Sequence, residues 1–221
     1  MAVEAGAERR IGVLGGTFDP VHLGHLAVAR FVQAQLKLDE FLFIPAARPP
    51  HKLYTSLTPF PTRLAMLQLA LRDLPEFKVS DLEAARQGPS YSVDTLEELR
   101  HLYGKGERLF FVIGLDAFLE VDTWKDFARL PRLADLVVIK RSAYPLEPVG
   151  AVVAKLGDYR FEPAASCWSA PGLPGRIHLL SMPPIEISST MIRRAAAADE
   201  SLEDLVVPAV ATYISEHRLY S

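Results

Sequence analysis

The sequence predicts an α/β protein with a Rossmann-like, mostly parallel sheet, helices on both faces and a small C-terminal helical portion. Three observations predict it. Short apolar runs alternate with segments of helical period along most of the chain. The runs are rich in β-branched and aromatic residues and are bounded by turn residues or charges, as buried parallel strands are. The first run ends in Gly15-Gly16 shortly before a helical segment, the sharp βα turn that such sheets require.

The elements follow in order. Ile11–Leu14 is the first strand, and Leu23–Leu36 places Leu26, Ala29, Val32 or Gln33, and Leu36 at helical spacing. Phe41–Ile44 is a second strand ending in Pro45. Arg48–Pro61 carries Pro49, Pro50, Pro59 and Pro61 around His51-Lys52 and reads as a loop. Arg63–Leu74 repeats Leu64, Leu67 and Leu71 as a helix, and Phe77–Val79 is a third strand. Val93–Leu102 repeats Val93, Leu96, Leu99 and Leu102, with Asp94 and Glu97 spaced as a capping box. Leu109–Ile113, Leu136–Ile139 and Ile177–Leu180 are further strands. Glu162–Gly175, with Pro163, Pro171, Gly172, Pro174 and Gly175, reads as a loop. Met191–Ala198 and Leu202–His217 close the chain as helices. A single domain over 1–221 is expected, with a core at 11–198 and a helical segment at 199–221. Its crossovers should be right-handed, and its ligands should lie beyond the carboxyl ends of the strands.

Composition excludes several classes. The formal net charge of −3 argues against a protein that coats nucleic acid. The lone Cys167 allows no intrachain disulfide. Met1–Arg10 is charged and lacks the apolar stretch of a signal peptide, and no apolar run approaches the roughly 20 residues that span a bilayer. Neither nucleic acid nor membrane is expected as a partner, and the cytoplasm is the default location. Oligomeric state stays open, a homodimer included.

The chemistry concentrates at the end of the first strand. Gly15-Gly16-Thr17-Phe18 is followed by Pro20 and by His22-Leu23-Gly24-His25, which opens a helix. Glycines let the backbone approach a ligand closely, and a helix N-terminus offers free N–H groups to phosphate. Gly15 or His22 alone would be no more than parts of a tight turn. The joint pattern, in this context, is specific, and it is not the dinucleotide fingerprint G-x-G-x-x-G. Gly24 lacks a side chain where a nucleotide could approach. Near the other end, Ser188, Ser189 and Thr190 are strong N-cap residues, with Arg193 one turn later, and together they make a second anion site.

The Gly15–His25 run resembles the nucleotidyltransferase superfamily with the H-x-G-H motif, and Ile187–Arg193 resembles that superfamily's second ATP-contacting motif. The resemblance implies ATP lying across Gly15, Gly16, Thr17, Phe18, Gly24 and His25, with His22 and His25 as the catalytic pair on the phosphates. It adds Ser188, Ser189, Thr190 and Arg193 as further ATP contacts. His51 and Lys52, in the Pro-rich loop, are either charges over the phosphates or solvated loop residues. A magnesium ion would be carried on the triphosphate, with no metal ligands from protein side chains. Physically, such a site must align the acceptor phosphate and neutralise the departing pyrophosphate; no protein nucleophile is needed.

Further segments narrow the resemblance. Arg86–Leu96, Phe111–Asp116, Thr123-Trp124 and Lys140-Arg141 look like those of the bacterial nicotinate-mononucleotide adenylyltransferases, over nearly the whole chain from Ile11 to about Tyr213. This implies ATP and nicotinate mononucleotide as substrates and deamido-NAD as product. It implies an acceptor site of Tyr91, Ser92, Asp116, Trp124 and Arg141, with Trp124 stacked on the pyridine ring and Ser92 near its carboxylate. Lys125 stands where that family often has an aromatic, and Leu115 where it often has a small residue. The alternatives are an acceptor of nicotinamide mononucleotide or phosphopantetheine, and a non-catalytic nucleotide sensor on the same fold.

Overall fold

A computed structural model describes residues 8–50, 57–104, 106–141 and 146–221 of the chain. In order the elements are β1 (Arg10–Gly16), α1 (Leu23–Leu36), β2 (Glu40–Pro45), α2 (Phe60–Leu71), β3 (Phe77–Val79), α3 (Ser92–Tyr103), β4 (Arg108–Gly114), α4 (Leu115–Leu119), α5 (Leu130–Leu133), β5 (Asp135–Lys140), α6 (Glu147–Leu156), β6 (Arg160–Glu162), β7 (Cys167–Ser169), β8 (Ile177–Ser181), α7 (Ser189–Ala197) and α8 (Pro208–Glu216). The strands form one sheet in the order β3-β2-β1-β4-β5-β8-β7-β6. β3 through β8 in that order are parallel, and β7 and β6 add on antiparallel. The Rossmann-like α/β architecture is therefore as the alternating runs predict.

Each central strand feeds two cores, because successive side chains point to opposite faces. Phe41 and Phe43 of β2 join Val28, Val32, Met66, Leu67, Ile192 and Val210 beneath α1, α2, α7 and α8. Leu42 and Ile44 join Val13, Leu96, Leu99, Phe118, Val138 and Val152 beneath α3, α4 and α6. Both faces being covered explains why the strands read as continuous apolar runs rather than alternating ones. Gly12 sits mid-strand for a packing reason. A Cβ there would lie 2.5 Å from the Phe41 ring.

The direction in which strands are added to the sheet reverses between β1 and β4. From β1 the sheet grows outward through β2 to one side, and from β4 through β5 to the other. The loops leaving β1 and β4 thus part, and a crevice opens between their carboxyl ends.

Four expectations change. The closing helix is only Pro208–Glu216, because Pro208 fixes its own φ, lacks an N–H and so serves as a first-turn residue. The Glu162–Gly175 stretch contains β7, whose Cys167 and Trp168 pair with His178 and Ile177 of β8. A three-residue strand is too short to show a period. α3 begins at Ser92 with Tyr91 as an N-cap that makes no side-chain cap bond. The Asp94–Glu97 pair is therefore inside the helix and not its capping box. α6, with Val149, Val152, Val153 and Leu156 buried, has no counterpart among the expected helices.

One buried cation ties the top of the sheet together. Arg63 of α2 is 1% exposed. Its guanidinium donates to the carbonyls of Thr58 (2.9 Å), Thr17 (2.6 Å) and Ala46 (2.8 Å). Thr17 follows β1 and Ala46 follows β2, so the fork fixes the two loops against each other. A lysine has no planar fork and would leave buried carbonyls unmet. Arg63→Lys is expected to lower stability by about 3 kcal/mol, read as a shift in the urea unfolding midpoint at unchanged m-value.

Candidate active site

A cleft of about 420 Å³ lies in the crevice between β1 and β4. Gly15, Gly16, Thr17 and His25 line one end. Tyr91, Ser92, Asp116, Trp124 and Arg141 line the rest, so nine of the expected site residues meet in one cavity. His51 and Lys52 lie outside the described residues.

The histidine loop combines a left-handed residue with buried side chains. Phe18 takes a left-handed backbone (φ 49°), and the Asp19–Pro20 peptide is cis. His22 is the N-cap of α1 in an extended conformation. Its backbone N–H donates to His25 Nδ1 at 3.2 Å, and the two rings stack with centroids 3.6 Å apart. The Phe18 ring meets His25 edge-on at 4.9 Å. His22 is 3% exposed, and its Nδ1 has no hydrogen-bond partner among the described residues.

These surroundings set the protonation. Burial, then the nearby Arg141 charge, pulls the His22 pKa down to about 4. Burial, then His22, then Arg141, holds His25 well below the ordinary histidine value. Both rings are neutral near pH 7. With Nδ1 of His25 accepting a backbone hydrogen bond, its proton sits on Nε2. His25 therefore offers the cleft a neutral N–H donor, and Arg141 supplies the cation.

His22 stands behind His25 and off the cleft wall, so the two expected partners of the phosphates are placed differently. Phe18 and Gly24 also differ from expectation. The Phe18 side chain is buried under Gly16, where an added Cβ would come 3.0 Å from the ring. A Cβ at Gly24 would come 3.0 Å from His22 Nδ1 and 3.3 Å from Ile185, so this glycine makes room for the histidine ring.

The second motif docks onto the first. Ser188 caps α7 by accepting from the Met191 N–H at 3.2 Å. Ser189 Oγ donates to the Pro20 carbonyl at 2.9 Å, and Arg193 Nη1 donates to the Asp19 carbonyl at 2.8 Å. Arg193 Nη2 also bonds Thr190 Oγ1 at 3.2 Å. The Ser189 hydroxyl and the Arg193 guanidinium are thus engaged in holding the histidine loop.

At the acceptor end, Trp124 stands edge-on to Phe111 with centroids 6.4 Å apart, and both line the cleft. Arg48 and Ser90 exchange hydrogen bonds at 2.9 and 3.0 Å, which pins the loop after β2 to the start of α3. Among the lining residues that were not expected at the site, two carry charge. Glu83 is buried and accepts from Thr95 Oγ1 of α3. Lys125 reaches Asp94 at 2.8 Å and lies 5.0 Å from the Tyr91 ring centre. A Lys beside an aromatic and a helix N-terminus is visible in the sequence only once the chain is folded. Leu115 is buried in the core and does not line the cleft. Among the described residues no group of three His, Cys, Asp or Glu could hold a metal ion, and no helix is long and apolar enough to cross a membrane.

The chain matches the cytidylyltransferase-like family model over residues 13–195. It is 44% identical to a Thermus thermophilus protein named "Probable nicotinate-nucleotide adenylyltransferase", covering 96% of this chain and 99% of that one. It is 40% identical to a protein of the same name from Symbiobacterium thermophilum, over 96% and 95%. In fold it is similar to the Plasmodium falciparum nicotinic acid mononucleotide adenylyltransferase complexed with NaAD, with a TM-score of 0.74, 19% identity and coverage of 96% and 98%.

The depressed His22 pKa has a consequence for stability. Above pH 6.5 the ring is neutral folded and unfolded. Below it the unfolded chain takes up the proton first, so stability is lost as pH falls from 6.5 to about 4. Relative to His22→Asn, the parent is expected to lose about 3 kcal/mol across that window, by urea unfolding at half-unit pH steps. A parent–variant difference that stays flat with pH would contradict a neutral, buried His22.

Proposed function

We infer that this chain, which belongs to the cytidylyltransferase-like family and within it to the nicotinate-nucleotide adenylyltransferases, transfers the adenylyl group of ATP to nicotinate mononucleotide. The products are nicotinate adenine dinucleotide and pyrophosphate, a step of NAD biosynthesis. The observation that carries this reading is one cleft with two chemically different ends. A glycine-lined strand end with a neutral histidine donor faces an aromatic wall at the start of α3.

A phosphate oxygen of the mononucleotide attacks the α-phosphorus of ATP. The new P–O bond forms as the bond to the β-phosphate oxygen breaks, and pyrophosphate leaves with the electron pair. The attacking phosphate is already anionic at neutral pH, so no general base is needed. The backbone of Gly15, Gly16 and Thr17 lets the triphosphate lie close to the strand end. His25 Nε2–H donates to it without bringing a charge of its own, and His22 orients and desolvates His25 from behind. Arg141 balances the negative charge accumulating between the two substrates. Magnesium carried on the triphosphate would neutralise the pyrophosphate, and phosphate oxygens and water suit its hard-ligand preference.

Tyr91, Ser92, Asp116 and Trp124 form the mononucleotide side. An aromatic face suits a planar, electron-poor pyridinium ring. The free N–H groups at the start of α3 suit its carboxylate. Ser188 and Thr190 act at the edge of the ATP site, and Ser189 and Arg193 act through the histidine loop. The 199–221 segment works as part of one domain with the core. The cytoplasm is where ATP and pyridine nucleotides meet such an enzyme.

Pyrophosphate release with ATP, magnesium and each acceptor tests the reading: nicotinate mononucleotide should be the best substrate, and turnover only with another acceptor would overturn it. His25→Ala is expected to lower kcat about 100-fold or more while the KM for ATP stays within about threefold. Trp124→Ala should raise the KM for nicotinate mononucleotide about tenfold and leave that for ATP unchanged.

A further inference from the structure

Asp19, between the two histidine-loop glycines and His22, is 3% exposed, yet it lines no part of the cleft. Three other segments converge on it. Arg193 of α7 takes its carbonyl at 2.8 Å. The Thr58 N–H donates to its carboxylate Oδ2 at 3.3 Å. The Tyr220 hydroxyl, from beyond α8 and 201 residues away in sequence, donates to Oδ1 at 2.8 Å. Tyr220 itself has a left-handed backbone (φ 71°). Burial and the adjacent Asp19 carboxylate raise the pKa of its hydroxyl, so it stays a donor at any physiological pH.

We propose that Tyr220 is a positioning residue for adenylyl transfer, acting through Asp19 to fix the Thr17–His25 loop in its reactive geometry. The assignment rests on the adenylyl-transfer reading of the same site. Asp19 is bracketed by Phe18, whose ring contacts His25, and by Pro20, whose carbonyl is held by Ser189. Its carboxylate receives one backbone N–H and one hydroxyl among the described residues. Removing the hydroxyl leaves a buried anionic oxygen short of a donor, and the loop must shift to rehydrate it. A shift of that loop moves the Thr17 backbone and the His25 donor together. Displacements of about an ångström at a phosphoryl-transfer site cost rate far more than affinity.

The test is Tyr220→Phe, with Tyr213→Phe as the control on α8, assayed well below each variant's melting temperature. Tyr213 stacks on His217 and does not line the cleft. Tyr220→Phe should lower kcat about tenfold with each KM within about threefold, and Tyr213→Phe should leave both unchanged. As a readout independent of turnover, the His25 ring nitrogens of the ligand-free protein should shift in 15N NMR for Tyr220→Phe and not for Tyr213→Phe. A kcat within twofold of the parent, or unmoved His25 resonances, would overturn the proposal. Loss of turnover that is equal in both variants would do so as well, since it would mark general destabilisation. If the parent itself made no dinucleotide, the functional reading would fall, while the NMR comparison would still decide whether Tyr220 positions His25.

Discussion

The Arg63 guanidinium donates to three carbonyl oxygens from three separate stretches of chain, and the architecture above the sheet follows from that convergence. Burying a cation is costly unless its donors are filled. Here Nε, Nη1 and Nη2 each have a carbonyl, and burial, which pulls the Arg63 pKa down, is opposed by the nearby charge of Asp19. The result is a rigid junction between the ends of β1 and β2 and the start of α2. A crevice at a topological switch point exists in any sheet of this order. Its width and the direction in which Thr17 points are decided by this junction.

The histidine loop is then held from outside at three of its residues. Thr17 is fixed by Arg63, Asp19 by Arg193, Thr58 and Tyr220, and Pro20 by Ser189. A segment with a left-handed Phe18 and a buried carboxylate is not stable by its own local preferences. It persists because the surrounding elements over-determine it. The same enclosure removes water from the two histidines and makes them neutral, so the cleft presents a preorganised N–H donor near the Arg141 cation. A neutral donor fits a transfer in which the substrate supplies its own nucleophile and the protein has only charge to manage.

At the acceptor end the balance differs. Trp124, Phe111 and Tyr91 give apolar surface, while Lys125, paired with Asp94, sits between Tyr91 and the start of α3. That helix start is anchored from below by Glu83 through Thr95 and from the side by Arg48 and Ser90. The α3 N-terminus is therefore a fixed element of the cleft, and its free N–H groups keep a constant direction.

Much of this protein was legible in the amino-acid order. The parallel α/β sheet could be read because both of its faces are covered, which writes each strand as an unbroken apolar run. The Gly15–His25 turn could be read because glycines, a proline and two histidines at fixed spacing have few other uses. Nine expected site residues, from Gly15 to Arg141, do share one cleft. What the sequence could not express is which side chains face the ligand and which face the protein. Phe18, Gly24, His22, Ser189 and Arg193 belong to the same motifs, yet packing turns them inward to hold the loop. Short strands such as β7, the Arg63 fork and the reach of Tyr220 to Asp19 depend on contacts between residues far apart in the chain. Local spacing carries no trace of such contacts, because only the folded backbone brings those groups within hydrogen-bonding distance.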